Sequence, residues 1–160
     1  MASNLITTKE LYNVRVMGGK NATKRIGKVR AFVYHPKERR CIGIMVKRPD
    51  LLWMFHRKDL FVSLDGFEFE DGRVVLADDA KTRDKAACKA IDVRLDDCVI
   101  WGGMPVITES GTTLGTVGVV TFSLVTGKVE SFLVDTGATA NALLGTRSVP
   151  GDIVLGFRRG

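Results

Sequence analysis

Apolar and polar residues alternate along most of this chain with a period of two. Val29, Ala31 and Val33 alternate with Arg30, Phe32 and Tyr34; Ile42, Ile44 and Val46 repeat the pattern, and Phe67 and Phe69 alternate with Glu68 and Glu70. That period puts successive side chains on opposite faces of a strand. Asp71-Gly72, ahead of Arg73-Val74-Val75-Leu76, predicts a hairpin, because a type I′ turn needs positive φ at both central residues. Gly111 and Thr126-Gly127 predict further turns. Helical signals are sparse. Thr7-x-x-Glu10 has capping-box spacing ahead of Leu11, residues 78–90 are rich in Ala and Lys behind Asp78, and Pro49-Asp50 suits the start of a short helix. Short strands, close turns and no long crossover helix predict small antiparallel barrels.

The pattern occurs twice. Ile26-Gly27-Lys28-Val29 corresponds to Leu114-Gly115-Thr116-Val117 at an offset of 88, and the same offset carries Cys41, Ile44, Met45 and Val46 onto Val129, Phe132, Leu133 and Val134. Six residues connect the two apolar stretches in each unit. Upstream, Val14-Arg15-Val16 resembles Met104-Pro105-Val106. The expected organisation is mainly β: a first barrel over residues 8–77, a partly helical linker over 78–98, and a second barrel over 99–160.

A lead strand, an Ile/Leu-Gly-x-Val strand, a six-residue bend and a paired apolar strand together resemble the PRC-barrel family, in two tandem copies. The resemblance implies a binding role: an adaptor or assembly factor that docks macromolecular partners, or a factor associated with RNA or the ribosome. It carries no site residues. The glycine fits a place where backbones approach closely. The counterpart of residues 73–76 falls beyond the last residue. Either the second barrel is truncated, or it is completed by the linker or by another molecule, and homo-oligomers are expected to form through an open edge at residues 153–157.

Composition narrows the classes. Of 160 residues 45% are hydrophobic, enough for real cores, and no apolar run reaches the roughly 20 residues of a membrane-spanning helix. Cys41, Cys88 and Cys98 form no C-x-x-C pair, and His35 and His56 are the only histidines, so neither a zinc site nor any other cofactor is expected. No signal peptide is visible, which predicts a cytoplasmic protein with reduced thiols. Residues 1–60 hold 14 basic and 4 acidic side chains, while residues 61–99 hold 6 and 10. The basic excess nominates Lys24, Arg25, Lys28, Arg30, Arg39, Arg40, Lys47 and Arg48 as a face for a polyanion or partner. Phe32 and Tyr34 share the strand phase of Lys28 and Arg30. They are either rings that stack on bases or packing residues, like their counterparts Val120 and Phe122. RNA, an anionic membrane surface and an acidic protein all suit such a face.

Two further features carry alternative readings. In Leu51-Leu52-Trp53-Met54-Phe55, Trp53 and Phe55 are either an apolar anchor for a partner or a plug at the end of the barrel. Asp135-Thr136-Gly137 resembles the signature of retroviral-type aspartic proteases, which makes Asp135 the candidate acid of a hydrolase. The first unit has Lys47-Arg48-Pro49 at that position and no Asp, which favours a strand-ending turn. Gly18-Gly19-Lys20 lacks the spacing of a phosphate loop.

Overall fold

The computed structural model describes residues 4–49 and 58–157. The chain opens with β1 (Leu5–Thr7) and one turn of helix, α1 (Thr8–Leu11). The capping box is formed: Glu10 N–H donates to Thr7 Oγ1 at 3.2 Å, and Thr7 N–H donates to Glu10 Oε2 at 2.8 Å. Next come β2 (Arg15–Gly18), β3 (Lys24–Tyr34), β4 (Cys41–Lys47), β5 (Leu60–Ser63), β6 (Phe67–Glu70) and β7 (Arg73–Leu76). Helix α2 (Asp84–Ile91) follows, then β8 (Pro105–Ile107), β9 (Thr113–Ser123), β10 (Val129–Asp135), α3 (Ala138–Leu144) and β11 (Arg147–Pro150). Among the described residues these strands form two sheets, β5-β4-β3-β2-β7-β6 and β1-β9-β10-β11 with β8 also on β9. The protein is mainly β.

Strand registers repeat at the spacing seen in the sequence. Val29 faces Val46, Phe32 faces Ile44 and Tyr34 faces Cys41; Val117 faces Val134, Val120 faces Phe132 and Phe122 faces Val129. Val16 faces Gly27 and Met17 faces Arg25 across a bulge, as Val106 faces Gly115 and Ile107 faces Thr113 across another. Even the bend between the long strands is tied alike. His35 Nδ1 accepts from Lys37 N–H and Glu38 N–H, both at 3.0 Å, and Ser123 Oγ accepts from Val125 N–H and Thr126 N–H, both at 3.2 Å.

The two halves interlock. β1 pairs with β9, Ile6 facing Phe122, while Val99 bridges Tyr34 by two backbone hydrogen bonds of 2.8 and 3.1 Å. At the centre Cys41 N–H donates to Gly127 O at 2.7 Å and Val129 N–H donates to Arg39 O at 3.0 Å. Gly127 has φ +80°, and a Cβ there would lie 2.0 Å from Cys41 O, so only glycine permits this contact. One apolar cluster accordingly runs through both halves, from Leu11, Val29 and Ile44 to Trp101, Phe122 and Val134.

The halves differ in how they close. β5 flanks β4, with Val46 facing Leu60, as β11 flanks β10, with Val134 facing Arg147. The first half then adds the β6–β7 hairpin, turned by Asp71 (φ 51°) and Gly72 (φ 72°), and β7 runs parallel to β2, Val74 beside Val16. Among the described residues no strand occupies that place beside β8.

Several expectations are corrected. Residues 153–157 are not an edge strand: a 3-10 turn at Gly151–Ile153 ends β11, and the chain beyond it is irregular. Gly151 passes so near β10 that a Cβ on it would lie 2.2 Å from Val129 O, and Phe157 turns inward onto Trp101 with ring centroids 5.1 Å apart. The helix expected from residue 78 begins only at Asp84, and α2 is packed on a sheet. Ala87 and Cys88 cover Val33, Ile42 and Phe61, the strand side chains that point away from the main core. Trp53 and Phe55 lie outside the described residues.

Candidate functional site

β3 and β4 place five of the nominated cations around one concavity of about 580 Å³: Arg25, Lys28 and Arg30 from β3, and Lys47 and Arg48 from the end of β4 and just beyond. The register forces the convergence, since Lys28 and Lys47 are directly paired. Like charges facing each other across a ladder repel. Arg30 Nε lies 3.6 Å from Asp59 Oδ2, and Arg48 Nε donates to Lys58 O at 2.9 Å. Among the described residues no acidic side chain lines the concavity. Tyr12 stands at its wall, 61% exposed.

Other nominated residues fall elsewhere. Lys24 is exposed at the start of β3 and does not line the concavity. Arg39 and Arg40 lie in the β3–β4 connection, where Arg39 Nη1 donates to Val154 O and Arg40 pairs with Glu38. Phe32 and Tyr34 are buried, Tyr34 stacked on Trp101 at 5.0 Å. They pack the core and present no stacking surface. Sequence reasoning missed Tyr12. Its signal was the capping box, which starts a single turn that drives Leu11 inward and leaves the next residue facing solvent. A larger concavity beside α2, about 1260 Å³, mixes cations with Asp59, Asp84 and Asp92 and selects no one ligand charge.

In the second half an apolar groove of about 510 Å³ lies between β8 and the segment after β11. Trp101, Val117 and Phe132 are buried in its wall, and Ile107, Ile153 and Leu155 stand exposed at its rim. The Trp101 indole N–H has no acceptor among the described residues, an uncommon state for a buried donor.

Asp135 ends β10 and is fully exposed. Its Oδ1 accepts from Gly137 N–H at 2.9 Å and from Asn141 Nδ2 at 2.8 Å. These two donors, the backbone one foremost, hold its carboxyl below the ordinary aspartate range. A proton-sharing acid pair needs the opposite, one carboxyl with a raised pKa. The geometry is that of a turn that leads into α3. Burial pushes the Cys41 thiol up to about 12; burial, then Cys88 and Asp97, raise Cys98 to about 11; and burial, then Asp84, raise Cys88. Thiols with such values are poor nucleophiles at neutral pH.

Residues 101–156 match the PRC-barrel domain. The matched stretch holds β8, β9, β10, α3 and β11, and Asp135 lies inside it. No curated protein matches the chain. Among the described residues no helix is long and apolar enough to cross a membrane.

Proposed function

We propose that the protein is a non-catalytic adaptor built from two PRC-barrel-like units, and that its first unit docks an anionic macromolecular partner. The convergence of Arg25, Lys28, Arg30, Lys47 and Arg48 on one concavity, lined by no acidic side chain among the described residues, carries this reading. The two-unit organisation is supported by the matching registers of β2–β3–β4 and β8–β9–β10, although the family match itself covers residues 101–156. Three free cysteines, two of them buried, support a reducing compartment such as the cytoplasm.

An acidic protein surface is the partner we favour, because the concavity offers charge and little stacking area. RNA is the second reading, favoured by the exposed Tyr12 ring beside the cations. The test measures binding of polyglutamate and of a single-stranded RNA across a salt series, for the wild-type protein and for Lys28→Glu/Lys47→Glu. Binding that falls steeply with salt and is lost in the double variant supports the concavity. Preference for RNA, reduced by Tyr12→Ala, selects the second reading. Binding unaffected by the charge reversal defeats both.

A further inference from the structure

We infer that the apolar groove beside β8 is an acceptor site for an extended strand of another polypeptide, added parallel to β8, with branched or long aliphatic side chains at alternate positions. The inference extends the adaptor reading and does not depend on the cationic concavity. It rests on the equivalence of β2 and β8.

The molecule contains its own template for the occupant. β2 and β8 hold the same register and the same bulge against their long neighbours, Val16 with Gly27 and Val106 with Gly115. Beside β2 runs β7, parallel, with Val74 next to Val16 and Val75 next to Met17. Val74 and Leu76 are buried there in the main core. Beside β8 no described strand takes this position, and the groove opens there instead. A strand with one edge open next to an apolar trough has the two elements of strand addition: backbone groups for affinity and pockets for alternate side chains.

The rim agrees with a missing cover. Ile107, the counterpart of Met17, is 58% exposed, whereas Met17 is half-buried under β7; Leu155 on the opposite rim is 81% exposed. Trp101 itself, buried in the groove wall, reports on what fills the groove. A second copy of this chain is a poor donor, because its own Phe67, Val74 and Leu76 are already buried in its first half. The occupant is therefore a different polypeptide.

The probe is a synthetic peptide with the sequence of residues 67–76, Phe-Glu-Phe-Glu-Asp-Gly-Arg-Val-Val-Leu. It is titrated into the 160-residue chain carrying Trp53→Phe, so that Trp101 is the single indole. The expected result is saturable one-to-one binding that changes Trp101 fluorescence and shifts the amides of Val106 and Ile107. Ile107→Glu and Leu155→Glu, both at exposed positions, should each weaken it about tenfold or more, as should Lys in the peptide at the positions of Val74 and Leu76. Binding to the polyanions above should survive both protein variants, which separates this site from the concavity. No binding at millimolar peptide, or binding indifferent to these changes, overturns the inference. A self-associated chain that excludes the peptide and dissociates with Ile107→Glu overturns it in favour of a second copy.

Discussion

Gly27 passes so close to Lys47 that a Cβ built on it would lie 2.1 Å from the Lys47 carbonyl oxygen. Gly115 stands in the same relation to Asp135, at 2.5 Å, with a φ of +149° besides. At both places a long strand crosses the end of its partner, and the backbone can retreat only by giving up ladder pairing. Gly27→Ala and Gly115→Ala should each cost about 1–3 kcal/mol or more. Gly102→Ala, where nothing lies within 4 Å, should be close to neutral. Urea midpoints check all three; equal midpoints would remove the argument from close approach.

Ile6 tests the interlock. It is buried and faces Phe122 in the other half, so Ile6→Asp places an unpaired charge in the shared core and should cost more than about 2 kcal/mol. Hydrogen exchange should quicken at Val120 and Leu124, whose amides donate to Thr8 Oγ1 and Asn4 O at 3.1 and 3.0 Å. Loss of protection confined to residues 4–11 would show that β1 is a dispensable appendage.

His35 gives the fold a mild acid sensitivity. Burial is the chief cause that lowers its pKa, opposed by Glu38 and assisted by Arg40 and Lys37. The neutral ring accepts from two backbone N–H groups. Because the folded pKa lies below the unfolded one, the unfolded chain takes up the proton first. The stabilisation is complete above the unfolded value of about 6.5 and is lost as pH falls through the folded value. His35→Ser, which copies Ser123, should flatten the slope of stability between about pH 7.5 and pH 5. His35→Ala should lower stability at the upper end. Parallel slopes for all three proteins would acquit the imidazole.

Asp135→Asn should fold, with a small loss at neutral pH. The folded carboxyl is held below its ordinary value, so its contribution is present above the unfolded pKa and disappears as pH falls through the folded one. Melting curves should differ from wild type at pH 7, and the difference should shrink as pH falls to about 3 and below. Acid-optimal peptide cleavage that this change abolishes would restore the catalytic reading.

What the sequence disclosed was largely what neighbours along the chain determine. The Asp71-Gly72 turn, the Thr7–Glu10 capping box and the correspondence of Val29 and Val46 with Val117 and Val134 all follow from spacing along the chain. The cationic concavity was half legible: strand alternation picked out Lys28 and Arg30, while the pairing that brings Lys47 beside Lys28 is a matter of register. Arg39 and Arg40 were misplaced because charge clusters along a sequence need not cluster in space. Residues 153–157 were misread as a strand because Val154 and Phe157 pack inward, Phe157 on Trp101, while Ile153 and Leu155 stand exposed without ladder pairing. The crossing of β1 to β9 had no local signature, since its partner lies in the other half of the chain.

That crossing governs the order of events during folding. The hairpins β3–β4 and β9–β10 each close over a short bend and can form as soon as their residues exist, at small loop-closure entropy. The seat of β1 is different: Thr8 and Val120, which share a hydrogen bond, are 112 positions apart. In a chain emerging from the ribosome Ile6 therefore waits for Phe122, and Tyr34 likewise waits for Val99. Long-range pairings of this kind slow folding and leave apolar segments open to wrong partners in the interval. The contacts that make the two halves one molecule therefore wait on residues of the second half, Ile6 on Phe122 and Cys41 on Gly127.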